Sequence, residues 1–273
     1  MTDGRDPRQL RDLAVEVAAA AATLVRERRL LGVEVADTKS SDVDVVTEAD
    51  RASEELISRL LAAHRPDDGF LGEEGEHRPG STGVRWIVDP IDGTVNFLYG
   101  LPYYAVSIAA EVDGRVVAGV VQNAATGVVY AAALGGGATR DGVPLTVRAT
   151  PPLHQRLVIT GFGYDPGLRR LQSAALARLL PRVRDIRRLG SCALDLCHVA
   201  EGVADAYVEE GVNIWDHAAG GLVAREAGAR TVLLTGVGGG EILVCAPAPG
   251  FDEMLAAVTD AGFLSNSVNG AGE

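Results

Sequence analysis

The sequence predicts a mixed α/β fold. Three observations carry that prediction: two helical stretches open the chain, a strand-rich run follows to about residue 150, and strands then alternate with helices to about residue 261. Alternation of that kind lays helices over a sheet. With 273 residues, 47% of them apolar, the chain is long enough to close a sizeable core.

The first element is a helix over Pro7–Leu31, alanine-rich, with apolar residues at Leu10, Leu13, Val17, Leu24 and Val25. A polar loop over Asp37–Asp44 follows. A second helix runs from near Thr47 to His64, with Ile57, Leu60 and Leu61 on one face, and Arg65-Pro66-Asp67-Asp68-Gly69 breaks it. Phe70-Leu71 and Trp86–Val88 are short apolar strands that end in acids. Ala105–Val112, Val116–Gln122 and Val128–Ala133 are further strands, and Asp113-Gly114 between the first two signals a tight hairpin. The pattern changes after Thr150-Pro151-Pro152. A hinge there divides one unit into an N-terminal α+β lobe of about 7–150 and a C-terminal α/β lobe of about 151–263. Strands in the second lobe fall at Leu157–Thr160, Val183–Ile186, Ala204–Val208, Arg230–Leu233 and Ile242–Ala246. Helices fall at Pro166–Leu180, Ser191–Glu201, Trp215–Ala227 and Pro249–Ala261, and the polar tail over 264–273 is expected to fray.

Composition narrows the function. The apolar and charged fractions exclude wholesale disorder. A net charge of −12 repels phosphate backbones and argues against a sequence-independent nucleic-acid grip. Cys192, Cys197 and Cys245 lack C-x-x-C spacing and read as small buried hydrophobes in a reducing compartment. Asp12 and Glu16 interrupt any signal-peptide core. The uncharged stretch Val116–Thr139 contains Gln122 and Asn123 and reads as two strands around a turn, not as a membrane span. The expectation is a cytoplasmic protein without membrane attachment. Among 25 basic residues Lys39 is the single lysine, set against a background of arginine.

Four acidic positions stand out. Glu73-Glu74 follow one strand, Asp89 and Asp92 close another, Asp42, Asp44 and Asp50 flank Val45-Val46-Thr47, and Asp216 opens a helix. Taken alone, Asp216 reads as a helix cap. Asp89 and Asp92 are different, because Pro90 stiffens the backbone between them and Gly93 permits a turn that aims both carboxylates at one point. Were Glu73, Asp89, Asp92 and Asp216 to converge, two like charges about 4 Å apart would cost on the order of 4 kcal/mol at an effective dielectric near 20. All-oxygen ligands select hard cations such as Mg²⁺, and two such ions can hold both the attacking and the leaving oxygen of a phosphoryl transfer. Gly93-Thr94 at a helix start would offer backbone N–H groups to phosphate.

Asp89-Pro90-Ile91-Asp92-Gly93-Thr94-Val95-Asn96-Phe97 resembles the signature of the inositol monophosphatase family of metal-dependent phosphatases. Asp44-Val45-Val46-Thr47-Glu48-Ala49-Asp50 upstream, Gly72-Glu73-Glu74 between and Trp215-Asp216-His217-Ala218-Ala219-Gly220 downstream match in order, so the similarity spans about Gln9 to Ala261. The version with Gly161-Phe162-Gly163-Tyr164 and Arg188–Cys197 looks most like actinobacterial members. The resemblance implies a layered αβαβα sandwich, shared with fructose-1,6-bisphosphatase, and usually a homodimer. It implies a Mg²⁺-dependent phosphomonoesterase acting on a small-molecule phosphate ester, myo-inositol 1-phosphate. Glu73, Asp89 and the Ile91 carbonyl would hold one Mg²⁺; Asp89, Asp92 and Asp216 a second; Glu73 would help a weaker third through water. Thr94, held by Asp50, would orient or deprotonate the attacking water together with Glu73. Gly93 and Thr94 would bind phosphate, with Asp92 and Asp216 also at the substrate. Gly190, Ser191 and Cys192 match the loop through whose backbone family members contact the substrate, where alanine is common in place of Cys192, and Glu209 would take two vicinal hydroxyls. Read from its own residues, Glu209 is equally a solvated strand-end acid. Lys39 falls in a loop that the family places near the metals, where an ammonium would offset negative charge. Sensitivity to Li⁺ is implied as well. Alternatives are a relative acting on histidinol phosphate, a 3′-phosphoadenosine nucleotide or fructose 1,6-bisphosphate, or a non-catalytic module that binds a partner.

Several other patterns carry no chemistry. Gly161-Phe162-Gly163 lacks a third glycine in register for a dinucleotide loop, and Gly236–Gly240 reads as a surface turn. His217 and His198 read as non-ligands, and Ser191, Asp195 and His198 do not read as a triad.

Overall fold

The computed structural model describes residues 4–33, 35–38 and 45–265. Helix α1 (Pro7–Leu31) starts where Asp6 accepts the N–H of Arg8 at 2.9 Å and Pro7 presets the first helical φ. A short antiparallel hairpin joins β1 (Val35–Thr38) to β2 (Val45–Thr47). Asp37 and Thr38, expected in a polar loop, therefore lie in a strand. The sequence pattern missed it because three or four residues carry too little period-2 signal. Helix α2 (Glu48–His64) opens on a reciprocal capping box between Thr47 and Asp50.

The larger sheet holds β3 (Gly69–Gly72), β4 (His77–Arg78), β5 (Val84–Asp92), β6 (Ala105–Val112), β7 (Arg115–Asn123), β8 (Val129–Ala133), β9 (Gly137–Arg140) and β10 (Val143–Pro144). Their order is β10-β9-β8-β7-β6-β5-β3-β4, antiparallel except where β3 runs parallel to β5. The Asp113-Gly114 hairpin forms as expected, both residues having positive φ, which matches the twist of the strands it joins. β5 runs on through Pro90 to Asp92, four residues beyond the strand expected at Trp86–Val88. Helix α3 (Thr94–Tyr99) follows it.

The second sheet has the order β12-β11-β13-β15-β14, built from β11 (Leu157–Thr160), β12 (Asp185–Arg187), β13 (Ala206–Glu210), β14 (Ala229–Thr235) and β15 (Glu241–Pro247). Its helices are α4 (Pro166–Leu179), α5 (Cys192–Ala200), α6 (Ile214–Glu226) and α7 (Phe251–Ala261).

Burial sorts these elements into five layers. One core packs α1 and α2 on the outer face of the larger sheet, through Leu10, Val17, Val25 and Ile57 against Phe70, Trp86 and Ile108. A second packs α4 and α7 on the outer face of the smaller sheet, through Leu179, Met254 and Val258 against Val208 and Val244. The third joins both sheets across α5 and α6, from Ile87 and Val121 through Leu196 and Leu222 to Tyr207 and Cys245. Helices covered on both sides must be apolar nearly all round, and α5 is buried at every residue except His198. The result is the helix–sheet–helix–sheet–helix sandwich. The three cysteines are buried and free.

Leu264 and Ser265, expected at the start of a frayed tail, are paired to the β14–β15 turn, by a bridge to Gly236 and a 3.1 Å bond to the Thr235 carbonyl. Phe263 and Leu264 anchor them by packing into the outer core. No helix among the described residues is long and apolar enough to cross a membrane.

Candidate active site

A bulge at the end of β5 aims two of the acids. β3 pairs with β5 only as far as Val88, and the pairing with β6 slips between Asp89 and Asp92. Pro90, with no N–H to give a ladder, sits in the slip. Residues three apart on a regular strand point to opposite faces; the extra residue lets Asp89 and Asp92 line the same cleft. Asp89 Oδ1 accepts the Ile91 N–H at 3.0 Å. Asp92 Oδ2 accepts both the Ser191 hydroxyl at 2.6 Å and the Ala193 N–H at 2.7 Å. The donors belong to the first turn of α5, where aligned N–H groups favour negative charge. Gly93 then turns the chain with φ 95°, and a Cβ there would come within 3.0 Å of the Gly190 and Tyr103 carbonyl oxygens, so only glycine suits the position.

Glu73 arrives from β3, its N–H bonded to the Val88 carbonyl at 3.1 Å. Its loop is held by the buried Glu54 of α2, which accepts the Glu74 N–H at 2.8 Å and the Glu76 N–H at 3.1 Å. Asp216 sits in the first turn of α6 and its Oδ2 accepts the Asn213 N–H at 2.6 Å. It caps its helix and lines the cleft at once.

The cleft has a volume of about 460 Å³ and is walled by Glu73, Asp89, Asp92, Asp216 and Glu209 among others. Among the described residues that line it, Arg188 alone carries a positive charge. Burial, then repulsion from Glu73, Asp92 and Asp216, pushes the Asp89 carboxyl well up, and Glu73 stands within hydrogen-bonding reach of it. Burial pushes Asp92 up to about 7 against the pull of Ser191 and Ala193, and burial with repulsion from Asp92 and Glu73 raises Asp216 well above the carboxylate range. Among the described residues no three His, Cys, Asp or Glu side chains are gathered tightly enough to enclose an ion as they stand. The acids share one cleft and one field rather than a finished coordination sphere. Their chemistry nevertheless fits a hard dication: every donor is oxygen, and Asp92 and Asp216 each commit only one oxygen to neighbouring hydrogen donors.

Thr94 Oγ1 lies 3.2 Å from Asp50 Oδ1 and 3.0 Å from the Ile91 carbonyl. One hydroxyl proton serves one of these acceptors at a time. Asp50 is fully buried; its Oδ2 accepts the Thr47 N–H at 2.8 Å and the Thr47 hydroxyl, and burial pushes its pKa up to about 7 against those bonds. From β13, Glu209 Oε2 accepts the Tyr207 hydroxyl at 2.7 Å. Burial raises Glu209, while Tyr207 and Arg188 pull it back. Gly161 leaves the space: a Cβ on it would overlap the Glu209 carboxylate.

Residues 6–261 match the model of the inositol monophosphatase family. The chain belongs to the inositol monophosphatase family. The inositol-1-monophosphatase SuhB of Mycobacterium tuberculosis is 47% identical over 273 residues, spanning 93% of this chain and 94% of that relative. The solved structure of Mycobacterium tuberculosis SuhB superposes with a TM-score of 0.83 at 44% identity, covering 96% of this chain and all of that one (100%). The Nus factor SuhB of Pasteurella multocida is 37% identical over 80% of this chain and 82% of its own length.

In this inositol monophosphatase family member, Glu73, Asp89, Ile91, Asp92, Gly93, Thr94, Gly190, Cys192, Glu209 and Asp216 line one cleft. Ser191, expected to meet the substrate through its backbone, keeps its side chain out of the cleft. The side chain is 1% exposed, and its hydroxyl donates to Asp92 and accepts the Leu194 N–H, so it supports an acid instead. Asp50 also stands behind the wall, reaching it through Thr94. Lys39, Asp42 and Asp44 lie outside the described residues. The rejected triad stays apart: Asp195 accepts from Tyr103 at 2.7 Å and His198 pairs with Glu201 at 2.7 Å. Sequence reasoning missed Glu54 and Asn96. Asn96 donates to the Tyr103 and Leu189 carbonyls, both at 2.8 Å, and so ties the two sides of the cleft together. Glu54 carried no local signal, since its partners lie about twenty residues on, whereas Asn96 lay inside the recognised motif.

Proposed function

We propose that the protein is a Mg²⁺-dependent phosphomonoesterase that hydrolyses myo-inositol 1-phosphate to inositol and phosphate by direct in-line attack of water. The observation that carries this reading is the gathering of Glu73, Asp89, Asp92, Asp216 and Glu209 around one cleft. Glu73, Asp89 and the Ile91 carbonyl would hold one ion, and Asp89, Asp92 and Asp216 a second. When bound, Mg²⁺ lowers the pKa of coordinated water and offsets phosphate charge. The Thr94 hydroxyl, shared between Asp50 and the Ile91 carbonyl, orients the attacking water together with Glu73. Gly93 and Thr94 offer backbone N–H groups to the phosphate. Glu209, its Oε2 already fixed by Tyr207, accepts hydroxyls of the polyol leaving group. A cytoplasmic setting agrees with three buried free thiols, and the reading includes a homodimer, which light scattering checks.

The test is phosphate release from a panel of esters, with and without Mg²⁺: myo-inositol 1-phosphate, histidinol phosphate, a 3′-phosphoadenosine nucleotide and fructose 1,6-bisphosphate. Preference for the inositol ester, abolished in Asp92→Asn, is expected. Preference for another ester overturns the substrate. The Nus factor relative favours a second reading, in which the chain acts by binding a partner; no release from any ester would support it.

A further inference from the structure

Helix α4 covers the outer face of the smaller sheet through Ala175 and Leu179, but its first turn reaches the cleft, where Leu168 lines it, and one turn further on a buried amide joins the cleft wall to the sheet. Gln172 is 2% exposed. Its Oε1 accepts the Gly163 N–H at 3.1 Å, and its Nε2 donates to the Glu210 carbonyl at 3.1 Å. Gly163 belongs to the cleft wall; Glu210 ends β13, directly after Glu209. A carboxamide offers an acceptor and a donor from one planar group at any pH, which neither an apolar residue nor an ionised carboxylate of that size does.

Both partners are fixed from a second side. The Gly163 carbonyl accepts Arg169 Nε at 2.6 Å, also from α4. The Glu210 carboxylate accepts the Gly238 N–H at 2.8 Å and the Gly240 N–H at 3.1 Å, which locks the end of β13 to the β14–β15 turn. Gln172 is the tie between these two locked units. The β11–β13 ladder ends at Thr160 opposite Val208, and beyond it the two bonds of Gln172 hold the segment at Gly163 against the end of β13. Glu209 lies between them, packed over Gly161 so closely that a single added carbon would displace it.

We propose that Gln172 is a positioning residue for the leaving-group wall. It holds the loop beyond the end of β11, where Gly161 backs Glu209, and thereby tunes the selectivity for a polyol leaving group without touching the phosphoryl chemistry. The inference rests on the phosphatase reading. In a well-packed interior an unpaired N–H and C=O do not simply relax in place, so losing the amide shifts the wall.

The experiment compares wild type, Gln172→Leu, Gln172→Asn, Glu209→Gln and the Gln172→Leu/Glu209→Gln double variant. Each is assayed with myo-inositol 1-phosphate and with 4-nitrophenyl phosphate, whose leaving group offers no hydroxyls to a wall. Gln172→Leu should lower the ratio of kcat/KM values, inositol ester over aryl ester, about tenfold, mainly through KM. The double variant should lose no more selectivity than Glu209→Gln alone, because both act through one carboxylate. Gln172→Asn keeps the chemistry but not the reach, and should fall between. The rise in melting temperature caused by Mg²⁺ alone should match wild type in every Gln172 variant. Parallel loss on both esters, an unchanged ratio, or additive losses in the double variant would overturn the inference. A wild type that releases phosphate from neither ester would instead overturn the phosphatase reading.

Discussion

Ser191 donates its hydroxyl proton to Asp92 across 99 residues of sequence, at 2.6 Å. The bond fastens the start of a helix in the middle layer to the end of a strand in the larger sheet. It also fixes which Asp92 oxygen is spent and which faces outward, since Ala193 donates to that same oxygen.

Removing the hydroxyl should loosen a ligand without deleting it. Ser191→Ala is expected to weaken Mg²⁺ binding by roughly 10-fold, in the range seen when groups behind a metal ligand are lost. Titration calorimetry of the metal-free protein measures it. Wild-type affinity would show that the Ala193 N–H holds Asp92 unaided.

Gly161→Ala should act on Glu209. The new methyl overlaps the Glu209 carboxylate, and overpacking of this kind costs about 1–3 kcal/mol. The expected result is a KM for the inositol ester raised about tenfold, with a much smaller effect on an aryl phosphate. An unaltered KM would mean that Glu209 takes no part in holding the leaving group.

Asp50 gives a pH dependence with a definite sign. Its folded pKa, pushed up to about 7 by burial, lies above the ordinary aspartate value of 3.8, so the folded state holds this proton more tightly than the unfolded chain. Its contribution therefore favours folding most below the unfolded pKa, declines as pH rises toward about 7, and is level above that. Asp50→Asn mimics the protonated acid. Relative to wild type in metal-free buffer, it should be more stable at pH 8 than at pH 5, measured by urea denaturation. An equal difference at the two pH values would contradict the raised pKa.

Glu201 gives the opposite sign. Burial alone would raise it, but His198, Tyr130 and Arg140 outweigh burial and hold it below the ordinary glutamate value of 4.5. Stability from this acid is present above that value and is lost as pH falls through the lower folded pKa. Glu201→Gln should cost about 1–3 kcal/mol at pH 7, as a buried charged acceptor is lost, and progressively less below pH 4.5. A penalty that grew on acidification would refute the assignment.

The acids of the site were legible because they sit in short local motifs, Gly72–Glu74, Asp89–Asn96 and Trp215–Gly220. Long elements were legible for the same local reason: Pro7–Leu31 shows its period and carries its own cap. What the sequence concealed is held by pairs distant along the chain. Nothing near Glu54 says that it will hold the Glu73 loop, and nothing near Ser191 says that its hydroxyl will face Asp92 rather than a ligand. Two-residue strands such as His77–Arg78 exist only because a neighbour lends them an edge, so no periodicity announces them.

The middle pair of helices has a consequence for how the molecule comes apart. Acids from the larger sheet, Asp216 from α6 and Glu209 from the smaller sheet all meet along it. A molecule bound there behaves as a rivet through three layers. Cutting the chain at Pro151-Pro152 would leave two fragments, each with a bare apolar face and part of a binding surface. Reuniting them should restore both together, and a bound substrate analogue should draw the fragments into one particle.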